Sequence, residues 1–531
     1  MRNTQKHLRR RTRRHANPGA IESLETRTLL TNSTLIDINQ VEANRGSLGR
    51  SSLNSTQFTE FVGNQAVFAA NDGISGSELW KTDGTEQGTS LIKDINPGGR
   101  GSISFGPRQQ LGDRLFFTAD DGVHGEELWV TDGTEEGTVL VRDINPGATG
   151  SNIRNEFVVH AGELYFLADD GTHGLELWRT DGTETGTQLV ADINPGPDGQ
   201  SIIIVEMLSF GDQLLLSATD GTTGRELWTT DGTEAGTELL RDIRPGSASG
   251  FFADMTILGS EVFFGANDGS TGNVLWKTDG TTEGTVQALD DWETVTSSGT
   301  SPRDFIELND VLYFSLESSR SNSELWRTDG TDAGTQRVSD INPTGDSFIS
   351  FSPEIVGDRF FFVADDGVHG SELWVSDGTE AGTQLVRDIR TGTGTTGRPL
   401  TSFIGNLTAF DGRVFFTATG DSGEDLLWVS DGTEAGTNPV SDIAVDTETL
   451  DLSSDILALD DDTLLFIGND GETGFELWKT DGTESGTEQV KNINTISTDS
   501  SFPLLDGSLL VDGDLWFSAD DGVHGLSLIH I

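Results

Sequence analysis

Aspartates recur in adjacent pairs along this chain, each pair followed by glycine: Asp120-Asp121, Asp169-Asp170, Asp365-Asp366 and Asp520-Asp521. Two carboxylates on one short loop, with backbone carbonyls close by, are the hard oxygen donors that Ca²⁺ takes. These eight residues are therefore the candidate metal ligands. The spacing is not that of the D-x-[DN]-x-[DN]-G calcium loop, and no loop supplies six oxygens alone, so the expected affinity is weak. The competing reading is turn chemistry, in which Asp caps N–H groups two residues on and Gly takes a positive φ. Histidine follows in four of these loops, at His124, His173, His369 and His524. Elsewhere Ser75, Thr223, Thr271 and Thr473 stand in its place, which fits a polar turn position better than a transition-metal ligand.

Recognised catalytic patterns are absent. There is no H-E-x-x-H, no G-x-S-x-G and no phosphate loop. With no cysteine, thiolate metal sites, cysteine nucleophiles and disulfides are excluded. Tryptophans can serve as sugar platforms, but here they follow Leu in strand-like segments, where packing calls for a large apolar group. Two stretches break the general pattern. Residues 290–322 bring in Trp292, Arg303, Asp304 and Arg320 and lose the aspartate loop, and residues 391–427 are longer and read TGDSGED. An acid–base site would be sought in such irregular units, as Arg, His and carboxylate groups converging on one pocket.

The elements that carry these residues come from a repeat. Trp80, Trp129, Trp178, Trp228, Trp276, Trp326, Trp374, Trp428 and Trp478 are spaced by 48 to 54 residues. Glu-Leu precedes seven of them, Val-Leu precedes Trp276 and Leu-Leu precedes Trp428. After one further residue each runs into [ST]-D-G-T-x-x-G-T. Over about residues 34–525 this pattern resembles the ELWxxDGT repeat family, a resemblance that implies little about activity.

One unit reads as four strands, named p, q, r and s in chain order. In the second unit they are expected at about 105–111, Arg114–Ala119, Glu127–Thr131 and Thr138–Ile144. Gly112-Asp113 makes a tight p–q hairpin, DDGVHG joins q to r, and DGTEEGT joins r to s. Strand q (Leu115-Phe116-Phe117) and strand r (Leu128-Trp129-Val130) are apolar on both faces, so each needs a sheet on either side. The period and the four strands together predict an all-β fold, a β-propeller of four-stranded antiparallel blades. The nine tryptophans are expected in equivalent buried positions, and the DGT loops in a structural role.

The chain ends fit the same plan. Residues 34–39, TLIDIN, read as a lone s strand, and the C-terminal residues supply p, q and a DDGVHG loop. A tenth blade split between the termini would leave no free edge. The closing LSLIHI lacks both Glu-Leu-Trp and DGT, which reads as a truncated unit. Strand alternation places the s–p linkers and q–r loops on one face, the expected binding face.

Charge narrows the partners. Of 531 residues 87 are acidic and 33 basic, a net charge of −54, which excludes general nucleic-acid binding and disfavours anionic membrane surfaces. No apolar run is long enough for a membrane-spanning helix. Residues 1–33 contrast with the rest, with eight basic residues and two acidic ones in the first 30. Leu24, Glu25, Arg27, Leu29 and Leu30 resemble the LEPR-XLL segment of exported bacterial proteins, with Thr26 where that segment has proline. The resemblance implies export, with residues 1–33 disordered or removed and 34–531 forming the repeat domain. The resulting expectation is a monomeric, non-enzymatic binding, scaffold or adhesion module at the cell surface, with an extracellular glycan or surface protein as partner. The alternative is an extracellular carbohydrate-active enzyme, hydrolase or lyase, on the same scaffold.

Overall fold

The computed structural model describes residues 34–36 and, with gaps in several connecting loops, residues 59–530. Among the described residues the regular elements are all strands, apart from two single 3₁₀ turns at Glu234–Gly236 and Glu484–Gly486. The strands form eight four-stranded antiparallel sheets and one eight-stranded sheet. In the second unit p is Gln109–Leu111, q Arg114–Asp120, r Glu126–Thr131 and s Val139–Arg142. In seven of the four-stranded sheets the order follows the chain, as tight turns between neighbouring strands require.

Strand q shows why these sheets must stack. Leu115 and Phe117 pack with Leu79 of the preceding unit, whereas Phe116 packs with Phe166 and Trp178 of the following one. All three are completely buried. Alternate side chains of one strand thus fill two different inter-sheet cores, the two-faced burial that a period-2 element allows. The register sets Phe117 opposite Trp129 and Trp129 opposite Leu140, with a shift between Leu128 and Trp129. The same shift recurs at Leu177/Trp178 and Leu373/Trp374.

The chain ends meet in one sheet. Thr34–Ile36 pairs antiparallel with Leu526–His530, in register Thr34 to His530 and Leu35 to Ile529. Asp514–Asp520 and Leu504–Val511 complete that sheet.

The seven glutamates before Leu-Trp explain the sharp turn out of strand s. Glu78, Glu127, Glu176, Glu226, Glu324, Glu372 and Glu476 are buried, and their carboxylates accept the N–H of Ile95, Ile144, Ile193, Ile243, Ile341, Ile389 and Ile493 at 2.8–3.2 Å. In the Trp428 unit Leu426 replaces the glutamate. There strand s runs on as Asn438–Val445, and its end pairs with Leu464–Asn469 of the next unit. That continuation produces the eight-stranded sheet, in place of two separate four-stranded ones.

Candidate functional site

Two successive p strands, and the residue that precedes the p strand before them, carry neighbouring carboxylates. Strands Ala253–Leu258 and Arg303–Leu308 both slip register after their first residue. At each slip an aspartate takes a left-handed conformation, Asp254 with φ 54° and Asp304 with φ 59°. A bulge re-aims the side chain at its kink, and Asp tolerates this φ better than most residues. The Asp304 N–H donates to Asp254 Oδ2 at 3.2 Å, and Ser315 Oγ donates to Asp304 Oδ2 at 3.3 Å. One sheet earlier, Glu206 Oε1 accepts the Met255 N–H at 2.7 Å.

These groups differ in environment. Burial, reinforced by the charge of Asp254, pushes the Asp304 carboxyl above the ordinary carboxylate range, with Ser315 and Arg303 opposing. Burial also raises Glu206, and Asp254 adds to it. Asp254 and Arg303 are exposed, whereas Asp304 is half-buried. Arg303 and Asp304 stand out in the sequence. Asp254 and Glu206 do not, because the coupling joins residues about 50 positions apart, and only an aspartate at matching places in successive units hints at it. Trp292 and Arg320 lie outside the described residues.

The paired aspartates sit in turns. Asp121 Oδ1 accepts the N–H of Val123 and His124 at 2.9 and 2.8 Å, and its Oδ2 meets His124 Nδ1 at 2.7 Å. Asp120 Oδ1 accepts the Gly122 N–H at 2.8 Å. Asp169-Asp170-His173 and Asp365-Asp366-His369 repeat the arrangement. Burial alone would raise Asp121, Asp170 and Asp366, but their N–H and imidazole partners hold all three below the ordinary range. The hydrogen bond to aspartate raises His124, His173 and His369 in turn. No group of three His, Asp or Glu among the described residues is arranged to hold a metal ion. Asp521, His524 and the side chain of Asp520 lie outside the described residues.

The DGT loops form inter-sheet latches. Asp132 Oδ1 accepts from the Thr134 N–H and hydroxyl at 2.9 and 2.6 Å, and Thr138 Oγ1 donates to the Thr134 carbonyl at 2.6 Å. The outward carbonyls then take a cation from the preceding sheet: Lys81 donates to Gly133 O, Arg114 to Asp181 O, Lys277 to Gly330 O and Arg413 to Asp481 O. Trp80, Trp129, Trp178, Trp276, Trp326, Trp374, Trp428 and Trp478 are buried, at 4–8% exposure. Trp228 holds the equivalent register position but corrects the expectation of uniform burial, because it is only half-buried and lines a cavity of about 410 Å³.

No protein-family model matches the sequence, and no curated protein matches it. Solved structures with some likeness include a puromycin hydrolase, at 16% identity and a TM-score of 0.31, over 70% of this chain and 59% of that one. A structure from a study of two prolyl endopeptidases gives 12% identity and a TM-score of 0.33, over 64% and 49%. Oligopeptidase B from Leishmania major gives 12% and 0.32, over 74% and 53%. This chain thus spans less than two thirds of each. All three are enzymes, so the expectation of a non-enzymatic binding, scaffold or adhesion module is corrected: the likeness found lies with hydrolases. At these TM-scores nothing of their particular chemistry passes to this chain, whose activity has to be argued from its own residues.

Proposed function

We propose that the chain is an exported carbohydrate-active enzyme, a hydrolase or lyase, with Asp304 and Asp254 as its acid–base pair. One observation carries this reading: two adjoining carboxyls in unlike environments, Asp304 raised by burial and by its neighbour, and Asp254 open to solvent. Such a split assigns proton donor and base in sugar chemistry. Asp304 would protonate the leaving oxygen, and Asp254 would act as base. Exposed Arg303 next in sequence would offset the charge of an acidic sugar.

The scaffold in this proposal is a closed propeller whose tenth blade is shared between the termini. Support comes from the pairing of Thr34–Ile36 with Leu526–His530 and from the contact of Thr59–Val62 with Leu504–Val511. Export rests on the LEPR-XLL-like head, and weak Ca²⁺ binding at the paired aspartates rests on the net charge of −54. The test is incubation of the full chain with a panel of neutral and uronate polysaccharides, following reducing ends for hydrolysis and unsaturated uronate absorbance for elimination. Turnover of at least one substrate supports the reading. No turnover of any of them would overturn it.

A further inference from the structure

The cavity beside Trp228 lies where two other units place an arginine. In the second unit strand s ends in Arg142, whose guanidinium lies 5.7 Å from the Trp178 ring centroid of the next sheet and donates to Thr187 O at 2.6 Å. Arg387 does the same for Trp428 at 5.8 Å, donating to Thr437 O at 2.5 Å. Lys93 Nζ reaches the matching carbonyl, Thr138 O, at 2.7 Å. All three cations end on the carbonyl that closes the DGT loop of the next sheet, and the two arginines also cover its tryptophan.

The third unit reads LVAD where the second reads LVRD, so Ala191 stands at the position of Arg142. Its methyl group cannot reach Trp228 or Thr237. The groove there is lined by Ala191, Trp228 and Thr237 together with three acidic residues, Asp192, Asp220 and Glu234, and by no basic one. Asp220 stays ionised: burial alone would raise it, but the N–H groups of Thr223 and Thr222 hold it below the ordinary range.

We propose that this groove binds an organic cation, a guanidinium or alkylammonium group supplied from outside the chain, in the place that Arg142 and Arg387 occupy elsewhere. A ring face, a strand-end carbonyl and surrounding carboxylates are the chemistry that recognises such a group. The site uses none of the residues of the Asp254–Asp304 pair and does not depend on the enzymatic reading.

The test is calorimetric titration of the full chain with N-acetyl-arginine amide, with n-propylammonium and with the neutral isostere N-acetyl-citrulline amide. Saturable binding of the arginine compound, at least about tenfold tighter than citrulline, is expected. Propylammonium distinguishes a simple charge requirement from a planar guanidinium requirement. Ala191→Arg, which copies the second unit, should fold, raise the melting temperature and abolish the binding. Asp192→Asn should weaken it without unfolding the protein. Equal binding of citrulline, binding that survives Ala191→Arg, or no binding to the wild type would each overturn the proposal.

Discussion

Glu176 shows how much a single side chain does in this repeat. Completely buried, it accepts the N–H of Ile193 at 3.0 Å and of Asn194 at 3.3 Å, and so turns the chain out of strand s. Glu176→Ala would leave two buried donors unpaired and should cost about 2–4 kcal/mol, measurable as a shifted denaturant midpoint. An effect under about 0.5 kcal/mol, the scale of ordinary surface changes, would contradict that role. The tryptophans offer a graded comparison. Trp178, at 4% exposure under the Arg142 guanidinium, should cost about 3–5 kcal/mol on replacement by Ala. Half-buried Trp228 beside Ala191 should cost clearly less. Equal losses from the two replacements would mean that the groove does not separate them.

At the scale of elements, the DGT loop couples neighbouring sheets through backbone carbonyls. Gly182 has φ +85°, and a Cβ there would come within 2.5 Å of Arg114 Nη1 and 2.8 Å of Phe116 Cζ in the preceding sheet. Gly182→Ala should therefore cost about 1–3 kcal/mol, read by thermal unfolding. The four-strand unit was legible because Gly and Asp punctuate the chain and strands q and r are apolar on both faces. Strand q was expected at Arg114–Ala119 and runs Arg114–Asp120, whereas p and s are shorter than expected, at Gln109–Leu111 and Val139–Arg142. The fused eight-stranded sheet has no mark of its own in the sequence: Leu426 stands where seven units have Glu, but so does Val274, whose unit keeps a four-stranded sheet. The carboxylate pair was only half legible. Arg303 and Asp304 lie in a visibly irregular unit, but Asp254 joins them through a bulge in a different sheet. The Trp228 groove is not legible in the sequence, because Ala191 lies one unit upstream of Trp228 and the two line one cavity only once the sheets are stacked.

For the whole molecule, acidity and burial act together. Burial, opposed by their N–H and hydroxyl donors, pushes Glu176 up to about 8 and Glu127, Glu226 and Glu372 up to about 7, from the ordinary 4.5. A raised folded-state pKa means that the native state holds more protons than the unfolded one, so stability is fully present below about 4.5 and is lost as pH rises through 7–8. Self-repulsion at a net charge of −54 acts in the same direction. The melting temperature at about pH 5.5 should exceed that at about pH 8.5 at fixed ionic strength, and a flat or rising profile would contradict the burial argument. Millimolar Ca²⁺ against chelator, again at fixed ionic strength, should raise the melting temperature by a few degrees if the aspartate loops bind it. The most direct test of the account as a whole is the turnover of Asp304→Asn and Asp254→Asn on any polysaccharide that the wild type cleaves, with melting temperatures measured alongside. Each variant is expected to lose at least about 100-fold in kcat while melting within a few degrees of the wild type. Wild-type turnover in either folded variant would contradict the account.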